Sequence, residues 1–458
     1  MKRSLLGAAA AATLVVACAL PSHAAAPAPP AAAPDLGPNV ALGHILGGAG
    51  TTIVGHFEGA PVVAVELWYR APSGGFGSKP RSSLARLAAQ TAASSKPLVG
   101  DALGTVVQSA GGKLQISAYG DSIAISALVP STAARAVVHA MSVAFFAPVL
   151  SEDGFRAAQR ELATAAIISG FDPDAAVRDA LFAALFASGP QHEAPLGSPK
   201  DVGVLSFDDV KAFATRAFRA QNATLVVNGA IDGNVLSDLA KGRPASGEDA
   251  AAESPAASSI VASPAPVHHT FEESATGYAW IGPPISDERA ATAMDFVADY
   301  LFRPDSGIVA RELARTDPGA SANGQFITLR DPGVFFVSLS GADVTREQNV
   351  TLAALRALKT PLGAEAFARA RAAFEYHLLS DVQTAGAVAD NFGWYSVEGN
   401  LAYAPGANGT GGAYFKAAEA LTPEFLAQTV QRFLAPEAAA TATLSPPSKK
   451  PAAEGKST

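Results

Sequence analysis

Two stretches of the sequence, LSFDDVKAFATR at 205–216 and LTPEFLAQTVQR at 421–432, decide the fold. In each, a hydroxyl residue (Ser206 or Thr422) precedes an acidic residue and then apolar residues at helical spacing. This is the pattern of an amphipathic helix with a capped N-terminus. The two stretches lie 216 residues apart in a chain of 458. A repeat at almost half the chain length indicates that one unit of helices and strands occurs twice.

The patterns around these stretches agree with a duplicated unit. We therefore expect an α+β fold in which one unit of strands and helices is duplicated. In the first half, the patterns predict strands at 62–69 and 223–227, helices at 82–94, 133–146 and 152–168, and a hairpin of 114–118 with 123–127 around Gly120-Asp121. In the second half, they predict a strand at 278–281, helices at 290–301, 346–358 and 364–379, and a hairpin of 325–329 with 334–339 around Asp331-Pro332-Gly333.

The amino-acid composition of two stretches indicates where the domains begin and end. We place the first domain at 39–241 and the second at 268–444. The stretch 242–267 is rich in Pro, Ala, Ser and acidic residues, which indicates a surface linker. The last stretch, 445–458, is rich in Pro, Lys and Ser, and we expect it to be disordered.

The N-terminus has the features of a targeting segment. Lys2 and Arg3 precede an apolar stretch at 5–16, and small residues stand before Ala24. This predicts a signal peptide at 1–24, followed by a Pro/Ala spacer at 25–38, and hence a periplasmic or secreted protein. A lipoprotein acylated at Cys18 is an alternative, and a mitochondrial presequence is a third interpretation. The apolar stretch is too short to span a bilayer, and we expect no membrane span elsewhere.

Composition also excludes several classes of protein. Hydrophobic residues make up 49% of the chain, enough for well-packed cores. A formal net charge of −8 argues against a nucleic-acid partner, because such proteins carry a basic surface. The chain has 1 Cys, which excludes an internal disulfide framework and Cys-rich metal sites.

Four short segments carry a resemblance to a known family. They are the strand and turn at 65–74, Ala110-Gly111-Gly112-Lys113, Pro195-Leu196-Gly197 followed by Leu205-Ser206, and Asn222 before the strand at 223–227. In this order along the chain, they resemble the insulinase/pitrilysin family of metallopeptidases, the inverzincins. The resemblance extends over both halves. It implies an α+β fold of two homologous α/β sandwich domains, each with a mixed, mainly antiparallel sheet packed with helices.

The family's zinc motif is degenerate at every position that carries chemistry. Active members use His-x-x-Glu-His on a helix and a Glu on a later helix, so that two His ligands share a helical face beside a general base. The resemblance places Arg86 and Gln90 at the two His positions, Ala89 at the base and Ala166 at the third ligand. It therefore implies an inactive homologue that binds no zinc and uses no other cofactor.

The family's substrate-binding residues in the second half are also replaced. The resemblance puts Ile308 where active members have an Arg, and Ser321 where they have a Tyr. Arg315 lies one residue out of register, and it is an alternative candidate for substrate binding beside its interpretation as a surface residue. Of the 8 His residues, no two are four apart. We expect His268 and His269 to be solvated linker residues, and His377 to lie at the surface.

The resemblance implies a function through assembly. Family enzymes enclose peptides between two such two-domain chains, so this chain is predicted to be the non-catalytic subunit of a heterodimer with an active insulinase-like peptidase, or failing that a homodimer. The alternatives are a stand-alone peptide-binding or scaffold protein, a core subunit of a respiratory complex and an active zinc peptidase. The missing ligands argue against the last.

Overall fold

The computed structural model describes residues 35–37, 39–45, 50–57, 59–77, 81–146, 148–231 and 255–447. The predicted signal peptide therefore lies outside the described residues, together with most of the spacer, the first half of the linker and most of the tail. No helix in the described part of the chain is long and apolar enough to cross a membrane.

The strands form two large sheets and one short pair. The strands are β1 (Val40–Ile45), β2 (Gly50–His56), β3 (Val62–Arg70), β4 (Lys113–Ala118), β5 (Ser122–Pro130), β6 (Phe186–Ser188), β7 (Ala223–Gly229), β8 (Ser259–Ile260), β9 (Val267–Thr270), β10 (Ala275–Ile281), β11 (Ser321–Ile327), β12 (Val334–Ser340) and β13 (Ala440–Ser445). The first sheet has the order β1-β2-β7-β3-β5-β4 and the second has the order β11-β12-β10-β13-β9, while β6 pairs with β8.

The two sheets repeat one topology. Read from β2, the first sheet runs β2-β7-β3-β5-β4, and the second runs β9-β13-β10-β12-β11 in the corresponding order. Each sheet has one parallel pair at the same place, β2 with β7 and β9 with β13, and its other pairs are antiparallel. The predicted fold class, a duplicated α+β unit with mixed, mainly antiparallel sheets, is confirmed.

The helices cover these sheets, and most of them follow the predicted patterns. They are α1 (Leu84–Ser94), α2 (Leu103–Ser109), α3 (Ala134–Phe146), α4 (Glu152–Ser169), α5 (Pro173–Leu185), α6 (Pro199–Val204), α7 (Phe207–Ala217), α8 (Glu288–Phe302), α9 (Ile308–Thr316), α10 (Val344–Ala357), α11 (Ala364–Asp381), α12 (Ala385–Glu398), α13 (Ala413–Glu419) and α14 (Pro423–Phe433). The duplicated stretches form α7 and α14. Ser206 accepts a hydrogen bond from the Asp209 backbone and Thr422 from the Phe425 backbone, as capping residues do.

Each half contributes one helix that packs on the sheet of the other half. The sequence patterns predicted neither of these two exchanged helices. Helix α5 belongs to the first half but packs on β10, β12 and β13 of the second sheet. Helix α12 belongs to the second half but packs on β3 and β7 of the first sheet. Close approach depends on glycine at both contacts, since a Cβ atom at Gly277 would overlap Val177 of α5, and one at Gly393 of α12 would overlap Trp68.

This exchange explains why strand β3 is buried on both faces. Val63, Val65 and Leu67 pack with the helices of the first half. On the other face, Ala64 and Trp68 join a core that includes residues of the second half. Each sheet is thus a layer between its own helices and one helix from the other half, which ties the halves into one packed unit.

Some residues of the predicted linker and spacer belong to the folded structure. Part of the predicted linker forms strands, because Ser259–Ile260 pairs with β6 and the chain then enters the second sheet at Val267. The predicted surface linker therefore contains short strand segments at those residues. His268 and His269 have exposed side chains, in agreement with the expectation that they are solvated, but they lie on the edge strand β9 and not in a flexible linker. At the end of the spacer, Leu36 is buried and accepts a hydrogen bond from the Asn408 backbone.

Candidate functional site

A cavity of about 1310 Å³ lies between the two halves. Helices α1 and α2 and strand β4 of the first half line it, as do strand β11 and helix α12 of the second half. We call this space the central cavity. Because both halves contribute walls, the cavity exists only when the duplicated units are packed together.

The central cavity is bordered by two edge strands. Every residue of β4, from Lys113 to Ala118, lines it, as do Gln325, Phe326 and Ile327 of β11. β4 ends the first sheet and β11 ends the second. An edge strand presents backbone N–H and C=O groups that its own sheet does not pair, and these groups can accept an added strand.

Two of the three predicted zinc-motif positions on α1 face the central cavity. Arg86 and Gln90, which are one helical turn apart, both line it. Within the described part of the chain, the buried atoms Arg86 Nε and Gln90 Oε1 have no hydrogen-bond partner. Burial lowers the pKa of the Arg86 guanidinium, and the negative charge of Glu161 opposes that shift. Arg86 therefore brings a partly desolvated positive charge to the wall.

The other two degenerate positions are buried in helix packing. The side chains of Ala89 on α1 and Ala166 on α4 are 0% and 3% exposed. The structure thus brings Arg86 and Gln90 together at the wall, and it leaves Ala89 and Ala166 behind it. From α4, the residue that lines the cavity is Glu161, which the sequence analysis did not single out.

These residues do not fit the zinc ion that active members of the family bind. A guanidinium cannot ligate a cation, and the alanines supply no donor atom. Within the described ranges, no group of three or more His, Cys, Asp or Glu side chains could hold a metal ion. Arg86 would also oppose a dication through its own charge.

The implied substrate-binding positions do not reach the cavity. Ile308 is at the start of α9 and Ser321 at the start of β11, and neither lines the central cavity. The guanidinium of Arg315 donates to Glu312 of its own helix at 3.2 and 2.9 Å, and its side chain is 69% exposed. Arg315 therefore has the position of the surface residue that was one of its two interpretations.

The prediction that His377 lies at the surface is wrong. Its side chain is only 17% exposed, and Nδ1 lies 2.9 Å from both carboxylate oxygens of Asp299. Asp299 also contacts Arg303 at 3.6 Å, and Arg303 donates to Asp381 at 2.7 and 2.9 Å. These contacts join α8 to α11, so His377 has a role in packing the second half.

A smaller recess of about 260 Å³ opens beside the central cavity. Three aromatic residues from different elements line it: Trp68 of β3, Tyr119 after β4 and Trp394 of α12. Asp390 of α12 lines it too, and the neighbouring Glu66 accepts a hydrogen bond from Trp68 Nε1 at 2.8 Å. We call these residues the aromatic–acidic recess. The one sequence signal was Glu66, the charged residue within the otherwise mainly apolar strand predicted at 62–69.

The comparisons with known proteins agree with this architecture. Residues 205–374 match the family model described as the Peptidase M16 inactive domain. Three solved structures share the fold. A protease from Helicobacter pylori is 18% identical, with a TM-score of 0.77 over 89% of this chain and 99% of that one. A putative M16-like peptidase from Alicyclobacillus acidocaldarius is 16% identical, with a TM-score of 0.73 over 89% and 98%. A peptidase M16 inactive domain from Pseudomonas fluorescens is 16% identical, with a TM-score of 0.71 over 90% and 100%.

The predicted resemblance to the insulinase (M16) family is confirmed. The matched model is described as an inactive domain, and its range does not include Arg86, Ala89, Gln90 or Ala166. No match was found among curated proteins.

A second polar cluster joins the two halves of the chain. The backbone of Arg330 donates to Glu398 Oε2 at 2.7 Å, and its guanidinium donates to the Val397 carbonyl at 2.9 Å. Burial, with a contribution from the charge of Asp121, raises the pKa of Glu398 to about 8, and the charge of Arg70 opposes that rise. Asp121 and Arg70 belong to the first half, so this cluster acts across the interface between the two halves.

Proposed function

We propose that this M16 homologue is a non-catalytic peptide-binding subunit that pairs with an active insulinase-like peptidase and forms half of a peptide-enclosing chamber. The observation that carries this proposal is the wall of the central cavity. The whole of edge strand β4 faces a space of about 1310 Å³. An extended peptide fits such a place, because it can continue the sheet with its own backbone hydrogen bonds.

The residues of α1 support a binding role without catalysis. Arg86 and Gln90 stand at the wall where active relatives hold their metal ligands, and neither can activate a water molecule as a metal ion or a general base would. Both can donate hydrogen bonds to peptide carbonyl groups. A bound peptide would therefore be held at the former catalytic position and remain intact.

Exposed apolar residues beside the cavity support a partner chain. Leu98 and Val99 are 90% and 88% exposed. They lie between α1 and α2, and residues on both sides of them, Ser94 and Ala102, line the cavity. Two exposed aliphatic side chains in a segment that borders the cavity favour coverage by a second protein. An active insulinase-like subunit would complete the chamber and supply the missing chemistry.

The N-terminal sequence supports a proposal for the compartment in which the protein acts. The residues at 1–24 have the charge and apolar pattern of a signal peptide, and we propose that the protein acts in the periplasm or outside the cell. Acylation at Cys18 is the alternative, in which the same subunit would be anchored to a membrane surface.

The experiment uses the chain without its signal peptide. Fluorescein-labelled extended peptides are titrated with the purified chain, and anisotropy gives the affinity. The chain is then mixed with an intact insulinase-like peptidase from the same organism, and light scattering and peptide cleavage are measured. We expect binding without cleavage by the chain alone, and a heterodimer with faster cleavage in the mixture.

The outcomes separate the proposed roles. Peptide binding by a strictly monomeric chain, with no effect on the peptidase, would overturn the subunit role and favour the stand-alone binding protein. Failure to bind any peptide would overturn both. A chain that cleaves peptides, and loses this activity with a chelator, would overturn the non-catalytic assignment.

A further inference from the structure

The aromatic–acidic recess lies at the edge of the first sheet, on the face that α12 covers. Strand pairing puts Glu66, Ser126 and Gln115 in one row across β3, β5 and β4. The adjacent row is formed by Trp68, Ala124 and Ser117. Ser126 and Ala124 lie on β5, between the side chains of β3 and those of β4. Because both are small, they leave open space above the sheet at this place. The recess is the space left above these small residues and below α12.

The recess is continuous with the central cavity. Gln115, Ser117 and Tyr119 line both spaces, together with Asn391 and Trp394 of α12. Residues at alternate positions of a strand point to the same face, so the first three form one side of β4 and its extension. A ligand lying along β4 would therefore pass the opening of the recess.

Aromatic rings surround the opening. The rings of Trp68 and Tyr119 are parallel, with centroids 6.0 Å apart and an interplanar angle of 6°. The ring of Trp394 is nearly perpendicular to both, with centroids 6.3 Å from Trp68 and 4.9 Å from Tyr119. The faces of aromatic rings carry negative electrostatic potential, and a cation within about 6 Å of a ring centroid is attracted to them.

Two acidic side chains add to this potential. Burial, followed by the charge of Asp390, raises the pKa of Glu66 well above its usual range. Burial also raises the pKa of Asp390, and its hydrogen bond with the neighbouring Glu66 opposes that rise. Among the ion pairs of the described residues, neither acid has a Lys, Arg or His partner. A carboxyl group in such a place keeps its proton or pairs with a cation, so a bound cation would stabilise its charged form.

We propose that the aromatic–acidic recess binds the side chain of a lysine or arginine in a peptide that lies along β4. This inference rests on the proposed peptide-binding function and adds a preference for basic peptides. The ammonium or guanidinium group would meet the Asp390 carboxylate and the ring faces of Tyr119 and Trp394. The aliphatic part of the side chain would pack against the same rings, as such side chains do at half-buried sites.

The test compares matched peptides on the same protein. Extended labelled peptides that carry lysine at one position are compared with peptides that carry norleucine there, and arginine peptides with citrulline peptides. Norleucine retains the aliphatic chain and citrulline the planar shape, so both remove mainly the charge. We expect the lysine and arginine peptides to bind at least about tenfold more tightly than their uncharged counterparts.

Two variants locate the preference, and one serves as a control. Asp390→Asn removes the charge and keeps the shape, and it should reduce the preference to about twofold or less. Tyr119→Leu removes a partly exposed ring and should reduce it about threefold. Asp305→Asn changes an exposed aspartate in the same half and should leave the preference unchanged.

The outcomes distinguish this inference from the function on which it rests. If no peptide binds, the proposed function fails. If lysine and norleucine peptides bind equally well, peptide binding stands and the cation recess is overturned. A preference that persists in Asp390→Asn also overturns the recess as its source. If free lysine amide or a polyamine competes as well as the lysine peptide binds, the recess serves a free cation and the peptide assignment is overturned.

Discussion

Gly393 of α12 lies directly against the indole ring of Trp68 on β3, so closely that a Cβ atom at 393 would overlap the indole nitrogen. The two residues come from different halves of the chain, and their contact sets the distance between α12 and the first sheet. Because α12 also carries Asp390 and Trp394, the same contact sets the dimensions of the aromatic–acidic recess. Packing of the duplicated units and the shape of the site therefore depend on one another.

The first prediction tests this contact with Gly393→Ala. The added methyl group must push α12 away from Trp68, and overpacking of this kind costs about 1–3 kcal/mol. The higher helix propensity of alanine offsets up to about 1 kcal/mol of that cost. We expect a lower free energy of unfolding in chemical denaturation and a change in tryptophan fluorescence.

Gly386→Ala is the matched control on the same helix. A Cβ atom at 386 meets no other atom within 4 Å, so this variant should keep or slightly raise the stability. If the two substitutions change the free energy of unfolding equally, the close contact between position 393 and Trp68 is not the cause of the loss of stability.

The second prediction concerns Asp295 on α8. Burial raises the pKa of Asp295 from 3.8 to about 7, although the hydroxyl of Tyr414 donates to its carboxylate at 2.6 Å. The native state therefore keeps this proton at pH values where the unfolded chain has lost it. The contribution to stability is complete below about pH 4 and is lost as the pH rises through about 7, by a total on the order of 4 kcal/mol.

Asp295→Asn removes this ionisation and keeps an acceptor for Tyr414. The melting temperature of the variant relative to the native protein should thus rise between about pH 5 and about pH 8. Asp305→Asn, at an exposed position, should show no such trend. A constant difference between Asp295→Asn and the native protein over this range would contradict the assignment.

The third prediction concerns the proposed partner. Replacing Leu98 and Val99 with serine removes two exposed apolar side chains beside the cavity. Because they are exposed, the stability of the isolated chain should change by no more than about 0.5 kcal/mol. The affinity for the active insulinase-like peptidase should fall at least about tenfold, as measured by light scattering or calorimetry.

The exposed residues Ile167 and Ile168 at the end of α4 provide a matched comparison. Their replacement with serine should leave that affinity unchanged if the partner covers the mouth of the cavity. Loss of affinity in this second variant, with none in the first, would place the interface elsewhere.

The elements that the sequence predicted are those with local signals. The hairpin of β4 and β5 follows its alternating pattern, and α7 and α14 begin at the predicted capping residues Ser206 and Thr422. The exchanged helices α5 and α12 were missed, because what stabilises each is a sheet far away in the sequence. The aromatic–acidic recess could not be predicted for the same reason, since its residues meet only when the halves pack.

The last prediction concerns the degenerate zinc site. The native protein should hold no stoichiometric zinc and cleave no peptide, because Arg86, Ala89, Gln90 and Ala166 offer neither ligands nor a base. The quadruple variant with Arg86→His, Ala89→Glu, Gln90→His and Ala166→Glu should bind about one zinc ion per chain if the implied register is right. Its two new glutamates would lie at positions that are now buried, so the metal is needed to neutralise them, and zinc should raise the melting temperature.

The third ligand of this engineered site is tested separately. The triple variant that retains Ala166 is the control and should bind zinc more weakly than the quadruple variant, as measured by elemental analysis and thermal unfolding with excess metal. A quadruple variant that folds but takes up no zinc would show that the register is misplaced. If the triple variant binds zinc as tightly as the quadruple variant, the third ligand comes from elsewhere. Glu161 would then be the residue to test, because it already lines the cavity on α4, and adding Glu161→Gln to the triple variant should abolish the binding.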